Sequence, residues 1–240
     1  FGKELYATFF KTYTEKVWGL PCSQISVDWA SQRIRALNLG AAIKSALVGN
    51  RAGIKSLVSE FSYPRLGAGQ VYQKMAGTIE RGGGRVLTGM NVRKIRRKGS
   101  RLLSMTVEGP SGQHEFEADQ FLTSASLTEV IQMTDDPAPD SVVQASHSLR
   151  YRDHISVNLV VRGNPFPDNW IYVHSSDVAV ARIANYRNFS AEMGGYAGLS
   201  PITAEYFAWP WDEVSSATDA ALARRAIDDL RQLGIVDPSN

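Results

Sequence analysis

The residues best suited to chemistry in this sequence are aromatic rings and arginines, together with one asparagine, in stretches that lie far apart. An arginine guanidinium matches the oxygens of phosphate or carboxylate, and the face of an aromatic ring stacks on a base or a sugar. A pocket that collected such groups would bind an anionic small molecule that carries a ring. For Trp18 and Trp170, packing in the core is an equally good interpretation. The candidates for substrate binding are Tyr13, Trp18, Arg33, Trp170, Tyr172, Arg182, Asn185 and Tyr206.

Arg182 is the strongest single candidate for an anion contact. It belongs to a predicted strand at 178–183 in which the other residues are apolar or small. Strict alternation would place Arg182 on one face with Val178 and Val180, which favours the covered face. A buried guanidinium without a partner costs several kcal/mol. We therefore expect Arg182 to bind a substrate phosphate or carboxylate, with Asn185 as a second polar group.

A glycine turn and a strand end are the candidates for cofactor binding. Gly67 and Gly69 stand just before a predicted helix, where backbone N–H groups could face a cofactor phosphate. A simple helix-entry turn explains the same residues. Thr123 and Ser124 stand at the end of a predicted buried strand, the position at which α/β folds place cofactors, although a helix N-cap fits them equally well.

No self-contained catalytic set accompanies these residues. The sequence has no G-x-S-x-G, H-E-x-x-H or P-loop motif, and no carboxylate pair stands out. Its histidines lie in separate elements without metal-ligand spacing, so each is better explained as a surface or hydrogen-bonded histidine and no metal is expected. The catalytic residues therefore stay unassigned. The four histidines are His114, His147, His154 and His174.

Composition excludes several classes of protein. Among 240 residues, 43% are hydrophobic and 21% charged, with a net charge of +2, which is typical of a globular domain and gives no reason to expect a nucleic-acid partner. The basic run at 93–98 alternates with apolar residues, as on a solvated strand. No apolar run approaches the length of a membrane span. The single cysteine, Cys22, fits a reducing compartment, so we expect a cytoplasmic protein.

The periodicity of the sequence predicts an α+β fold. Helical spacing dominates the first 60 residues, with a turn predicted at 18–21 and helices at 29–37 and 41–48. The chain opens inside a helix without an initial Met, so we expect both ends to continue into a longer protein. Alternation with period two indicates an antiparallel meander at 91–116 and a second sheet at 154–209. Further helices are predicted at 70–81, 127–133, 140–147 and 216–233, and further strands at 85–88 and 121–123; the strands of the second sheet are predicted at 155–161, 170–173, 179–183 and 203–209.

Three groups of motifs follow one another in order along the chain. The first is Y-T-x-K-x-W-G at 13–19. The second is a glycine turn at 63–69, then a helix, G-G-x-V at 83–86 and V-x-x-I at 92–95. The third comprises D-N-W-I-Y-V-H at 168–174, R-I-x-N at 182–185 and E-Y-F at 205–207. Together they resemble the flavin amine oxidase superfamily, in particular its UDP-galactopyranose mutase-like and protoporphyrinogen oxidase-like members.

This resemblance implies a fold, a cofactor and roles for several residues. It implies FAD, with Gly67 and Gly69 in the inner signature of the FAD domain and Val92 lending backbone groups to the adenine. It also implies that an α/β portion of the FAD domain, at 61–135, is interleaved with a substrate domain. The helical part of that substrate domain would be 1–60, and its antiparallel sheet and helices 136–240.

The resemblance implies a flavoenzyme, and several functions stay open. The first is a UDP-galactopyranose mutase-like enzyme that acts on a nucleotide sugar. The alternatives are an amine oxidase, protoporphyrinogen oxidase or desaturase-like oxidoreductase, and a non-catalytic domain that binds a carbohydrate or a partner. The G-x-G-x-x-G loop of dinucleotide folds is absent from these 240 residues, so we expect the isolated chain to bind FAD weakly or not at all.

Overall fold

The computed structural model describes residues 3–28, 61–194 and 198–237. The predicted helices at 29–37 and 41–48, and the candidate Arg33, lie outside these residues. The chain divides into two compact units, one of residues 1–72 and 152–240 and the other of residues 73–151. We call them the sheet unit and the meander unit.

The helices and strands are numbered in chain order. The helices are α1 Lys3–Tyr6, α2 Thr12–Trp18, α3 Gly69–Arg81, α4 Leu127–Met133, α5 Asp140–Ser148, α6 Tyr186–Phe189, α7 Glu213–Ser216 and α8 Asp219–Gln232, with a π-helical turn at Ala7–Lys11 and 3₁₀ turns at Cys22–Gln24 and Ala191–Gly194. The strands are β1 Asn91–Lys98, β2 Arg101–Gly109, β3 Gly112–Glu117, β4 Asp153–Arg162, β5 Trp170–Tyr172, β6 Arg182–Asn185 and β7 Leu199–Ala208.

The first helical segment of the sheet unit ends at a glycine. Gly19 adopts a left-handed conformation with φ 63°, and its N–H donates to the Glu15 carbonyl at 2.8 Å. This geometry satisfies an otherwise unpaired carbonyl at the end of α2 and favours glycine, which has no Cβ to clash. The predicted turn after Trp18 is therefore confirmed.

An antiparallel sheet of order β4-β7-β6-β5 forms the centre of the sheet unit. One face of the sheet packs against α8 and holds the core, in which Ile183, Ile202 and Leu230 are at most 1% exposed. Asp229 of α8 joins this core, where its carboxylate accepts hydrogen bonds from the Val180 N–H at 2.9 Å and the Tyr206 hydroxyl at 3.1 Å. The buried carboxylate is thus paired, as a buried polar group must be.

The meander unit contains the sheet β1-β2-β3 with tight turns between its strands. Helix α4 begins with a capping box, in which Ser126 and Glu129 each accept from the backbone N–H of the other. Ile95 and Val107 are the only buried apolar residues of this unit, and α3 has no buried residue. The meander is thus built with little core of its own.

The predicted α+β class is confirmed, since helices accompany two antiparallel sheets in the described residues. The predicted strands at 85–88 and 121–123 are wrong. Neither segment pairs with either sheet, and Leu122 is 94% exposed. Apolar composition is not enough for a strand, because a strand also needs a neighbour for its backbone N–H and C=O groups.

The strand predicted around Arg182, at 178–183, is shifted in the structure. It begins at Arg182, so Val178 and Val180 precede it and do not alternate with Arg182 as predicted. Both valines lie in the core, and the Val180 N–H is taken by Asp229 instead of a neighbouring strand.

The division into two units places boundaries after Tyr72 and Tyr151. The functional boundaries expected after residues 60 and 135 stay a prediction. None of the helices in the described ranges is long and apolar enough to cross a membrane.

Candidate functional site

Polar and aromatic side chains cover the sheet face that is turned away from the α8 core. Strand register places Ser156, Glu205, Arg182 and Tyr172 in one row across all four strands. A second row holds Asn158, Thr203, Ala184 and Trp170. Since successive side chains point to opposite faces of a strand, both rows lie opposite Ile183 and Ile202. We call this surface the polar face.

A charged cluster occupies the middle of the polar face. Arg182 Nε donates to Glu205 Oε2 at 2.8 Å, and Arg182 Nη2 contacts the same oxygen. His154 Nε2 lies 3.0 Å from Glu205 Oε2, and its ring stacks on Phe207. The Glu205 side chain is only 8% exposed. The anion that Arg182 was expected to find in a substrate is therefore supplied by the chain itself.

Glu205 and two tyrosines govern the ionisation of Arg182. Burial works against the charged guanidinium, but the hydrogen bond and charge of Glu205 outweigh it and raise the pKa of Arg182 above its ordinary value. Tyr13 and Tyr172 act in the same direction, and their rings meet edge to face with centroids 4.8 Å apart. Arg182 is thus a permanent cation flanked by two phenols.

Lys16 and His174 extend the cluster toward α2. Lys16 Nζ donates to the Val180 carbonyl at 2.9 Å and ties α2 to the segment before β6. Burial lowers the pKa of Lys16, whereas the negative charges of Asp229 and Asp177 act to raise it. Burial, and secondarily the charge of Lys16, lower the pKa of His174 below its ordinary value. The ring of His174 lies 5.8 Å from that of Tyr13, so a neutral imidazole stands beside the tyrosines.

An aromatic cluster lies at the other end of the same face. The rings of Trp170 and Phe189 are nearly parallel with centroids 5.8 Å apart, and Trp170 is 40% exposed. Phe61 and Tyr63 surround Phe189 at centroid distances of 5.9 Å and 4.8 Å. A partly exposed indole with a fixed orientation is suited to stacking on a ring of a ligand.

The structure does not bring all predicted substrate residues to the polar face. Asn185 is fully buried, and its amide donates to Asn164 Oδ1 at 2.7 Å and to the Phe166 carbonyl at 3.1 Å, so it holds the loop before Trp170. Tyr206 is 1% exposed and faces the core, where burial and then Asp229 raise its pKa. Trp18 is half-buried at the end of α2. Tyr13, Trp170, Tyr172 and Arg182 are the predicted residues that the structure gathers at this face.

Gly67 and Gly69 form the entry to α3. Gly67 has φ 93°, and a Cβ there would lie 3.1 Å from Cε of Met193, so only glycine fits without adjustment. A Cβ on Gly69 would meet nothing within 4 Å. Within the described residues, the N–H groups of Ala68 and Gly69 have no hydrogen-bond acceptor. Open space and free donors at a helix N-terminus fit a phosphate or another anionic group.

The remaining cofactor candidates belong to the meander unit. Val92 lies on β1 and is 37% exposed, opposite Val107 of β2. Thr123 Oγ1 accepts from the Ala125 N–H at 3.1 Å, and Thr123 and Ser124 are both exposed. Thr123 therefore makes a local turn contact, and its role toward a cofactor stays a prediction.

Sequence reasoning missed Glu205, His154 and Phe189. A signal for Glu205 existed, because a charged residue in the predicted strand at 203–209 needs a partner for the same reason as Arg182 does. The same reasoning would have predicted an ion pair between Arg182 and Glu205. His154 and Phe189 carried no such signal, since their roles depend on which strand and loop lie beside them.

Comparison with known proteins identifies relatives over nearly the whole chain. The sequence profile of the family described as flavin containing amine oxidoreductase matches residues 9–240. No curated protein matches the sequence.

Several solved structures share the fold. A crystal structure of reduced UDP-galactopyranose mutase matches with a TM-score of 0.74 and 17% identity, over 99% of this chain and 51% of that one. The PF1083 protein from Pyrococcus furiosus matches with a TM-score of 0.60 and 14% identity, over 96% and 51%. An oxidoreductase from Methanosarcina mazei matches with a TM-score of 0.53 and 10% identity, over 70% and 39%. The chain thus spans about half the length of the first two structures.

Proposed function

This chain belongs to the family of flavin-containing amine oxidoreductases, and on that premise we propose that it supplies the substrate-binding sheet and part of the FAD-binding region of a flavoenzyme. The family resemblance predicted from the motifs is confirmed. We further propose that the enzyme is UDP-galactopyranose mutase-like and acts on a nucleotide sugar. The fold match to a UDP-galactopyranose mutase supports this choice of reaction.

The observation that carries the proposal is the composition of the polar face. One surface combines the Arg182–Glu205 pair, the phenols of Tyr13 and Tyr172, and the partly exposed Trp170. A nucleotide sugar needs hydrogen-bonding groups for its hydroxyls and an aromatic surface for its rings. Such a surface is poorly suited to an apolar polyene, which argues against the desaturase-like alternative.

The proposed cofactor is FAD, with Gly67 and Gly69 facing its anionic groups. Bound flavin would donate an electron pair to the substrate in a mutase or accept a hydride from it in an oxidase, which is chemistry that no side-chain set in the described residues offers. The side chains of the polar face would bind and orient the substrate. Val92 is proposed as a further FAD contact from the resemblance. Thr123 and Ser124 are proposed from their place at the end of the apolar segment 121–123, which does not form a strand in the structure. An oxidase of the same family is the second candidate, supported by the family match.

The test uses the full-length protein that contains this chain. We expect a flavin absorbance spectrum and, after reduction, interconversion of UDP-galactopyranose and UDP-galactofuranose. Arg182→Ala should raise KM at least about tenfold, equivalent to roughly 1.4 kcal/mol, and leave the flavin spectrum unchanged. Arg224→Ala, at an exposed position of α8 on the opposite face of the sheet, is the matched control and should leave KM unchanged. A protein without flavin, or a flavoprotein that oxidises amines and does not isomerise the sugar, would contradict the mutase proposal.

A further inference from the structure

We propose that Asn185 and Asn188 are positioning residues, which fix the indole of Trp170 so that it can stack on a ring of the substrate. The inference rests on the proposed use of the polar face for substrate binding. It changes the expected role of Asn185, which was predicted to contact the substrate directly, and it adds Asn188.

The strand that begins with Trp170 does little to orient the indole. β5 has three residues and lies at the edge of the sheet, where β6 is its neighbour. The register places Ala184 of β6 opposite Trp170, and a methyl group is too small to select one rotamer of an indole. The orientation of Trp170 therefore depends on the loop that precedes it and on the aromatic rings beside it.

The loop at 163–169 leads directly into Trp170, and Asn185 holds it at two points. The side-chain amide of Asn185 donates to the Phe166 carbonyl at 3.1 Å, and its backbone N–H donates to the Asn169 carbonyl at 2.8 Å. Asn185 is fully buried, so water does not compete for these hydrogen bonds. The carbonyl directly before Trp170 is thus fixed relative to β6.

Asn188 holds the same loop from α6. Its Nδ2 donates to the Phe166 carbonyl at 2.9 Å and to the Asp168 carbonyl at 2.7 Å, and its Oδ1 accepts from Asn164 Nδ2 at 3.1 Å. Both N–H donors of the amide are therefore used. A side chain without these donors would leave two loop carbonyls without this partner and release the backbone before Trp170.

α6 also supplies a ring that packs against Trp170. Phe189 follows Asn188 directly, and its ring lies nearly parallel to the indole, at 24° and with centroids 5.8 Å apart. The hydrogen-bonding side chain and the packing side chain thus belong to one short helix, Tyr186–Phe189. Trp170 stays 40% exposed. An indole that is oriented before the ligand arrives loses less freedom on binding, so this arrangement strengthens stacking on a substrate ring.

The first experiment measures KM and kcat of the full-length protein for UDP-galactopyranose. Asn188→Ala should raise KM at least about threefold and leave kcat unchanged, because Asn188 acts on binding. Asn188→Asp, which keeps the shape of the side chain but has no N–H donor, should raise KM at least as much. Asn169→Ala is the matched control in the same loop. It should leave KM unchanged, since the Asn169 side chain makes no hydrogen bond in the described part of the chain and the backbone carbonyl is retained.

A double variant separates positioning of Trp170 from a general structural role. Trp170→Ala removes the ring and should raise KM about fivefold. In that background Asn188→Ala should raise KM by less than about 1.5-fold more, because the side chain that it positions is gone. A full threefold effect of Asn188→Ala in the double variant overturns the inference, as does an unchanged KM in either single variant.

A second measurement does not depend on activity. The Trp170 Nε1–H resonance, assigned with Trp170→Phe, is followed by NMR in the full-length protein with labelled tryptophan. Asn188→Ala should shift this resonance, because the indole moves relative to the Phe189 ring, and Asn169→Ala should not. An unshifted resonance in Asn188→Ala overturns the inference. The expected shift in a protein that lacks mutase activity would overturn the proposed function and leave the positioning of Trp170 standing.

Discussion

The two units of this chain differ sharply in how they are held together. In the sheet unit, sheet and helix enclose a continuous apolar core with a paired carboxylate inside it. In the meander unit, Ile95 and Val107 are the only buried apolar residues. The apolar face of α3 is exposed instead, with Met75 56% and Ile79 49% exposed.

Charge pairs at the surface of the meander do not replace a core. The pairs Arg93–Glu108 and Arg96–Glu115 join exposed side chains at 2.6 Å and 3.0 Å. Exposed pairs of this kind contribute about 0–1 kcal/mol each. Regular secondary structure can therefore form in a unit whose apolar surface has no partner among the described residues. The stability of the sheet unit should be the greater.

The largest expected effect comes from the core of the sheet unit. Leu230 is fully buried, so Leu230→Ala should lower the free energy of unfolding by about 3 kcal/mol, the sum of lost burial and a cavity. All five tryptophans of the sequence lie outside residues 73–151, so urea unfolding followed by tryptophan fluorescence reports on the sheet unit alone.

The matched substitution in the other unit is Ile79→Ala on α3. Because Ile79 is half exposed, the change should stay within about 0.5 kcal/mol, measured by hydrogen exchange of the β2 amides. A cost for Ile79→Ala as large as that for Leu230→Ala would show that the comparison of the two units is wrong.

A smaller effect is expected at the buried carboxylate of the sheet unit. Asp229→Ala leaves the Val180 N–H and the Tyr206 hydroxyl without an acceptor, which should cost about 2 kcal/mol. Asp228 lies in the same helix, but its side chain is 74% exposed, so Asp228→Ala should change stability by less than about 0.5 kcal/mol. Equal effects at the two positions in the same urea experiment would contradict a structural role for Asp229.

The smallest effect is a pH dependence confined to the sheet unit. The pKa of His174 is lowered on folding, so the unfolded chain takes up its proton first as the pH falls below about 6.5. As the pH falls further toward the lower pKa of the folded state, the free energy of unfolding therefore decreases. Between pH 7 and 5, His174→Gln should reduce the fall in the urea midpoint seen by tryptophan fluorescence, whereas His147→Gln in the meander unit should not. If His174→Gln left the pH dependence unchanged, burial of His174 would not be the cause of that dependence.

Local sequence patterns were enough to predict most elements. The helices at 127–133 and 140–147 were predicted close to their observed bounds, and the first of them begins with a capping box. The meander follows from alternation with glycine turns. The failures have one cause. The segments at 85–88 and 121–123 have the composition of strands, but a strand exists only where a neighbour supplies hydrogen bonds.

For the candidate site too, some properties follow from the sequence and others only from the tertiary structure. The sequence by itself determined that Arg182 needs an anionic partner, that Tyr13, Trp170 and Tyr172 are able to stack, and that the motifs belong to a flavoenzyme family. These conclusions depend on residue type and short spacing, which are local properties.

Tertiary structure alone decided what those side chains face. Register between β6 and β7 places Glu205 beside Arg182, although 22 residues separate them in the chain, and turns Tyr206 into the core. A shift of one residue in that register would exchange the two faces of the strand. Strand pairing decides which of two adjacent residues faces the core and which lies on the polar face. Pairing depends on residues that are distant in the sequence, so no local pattern predicts it.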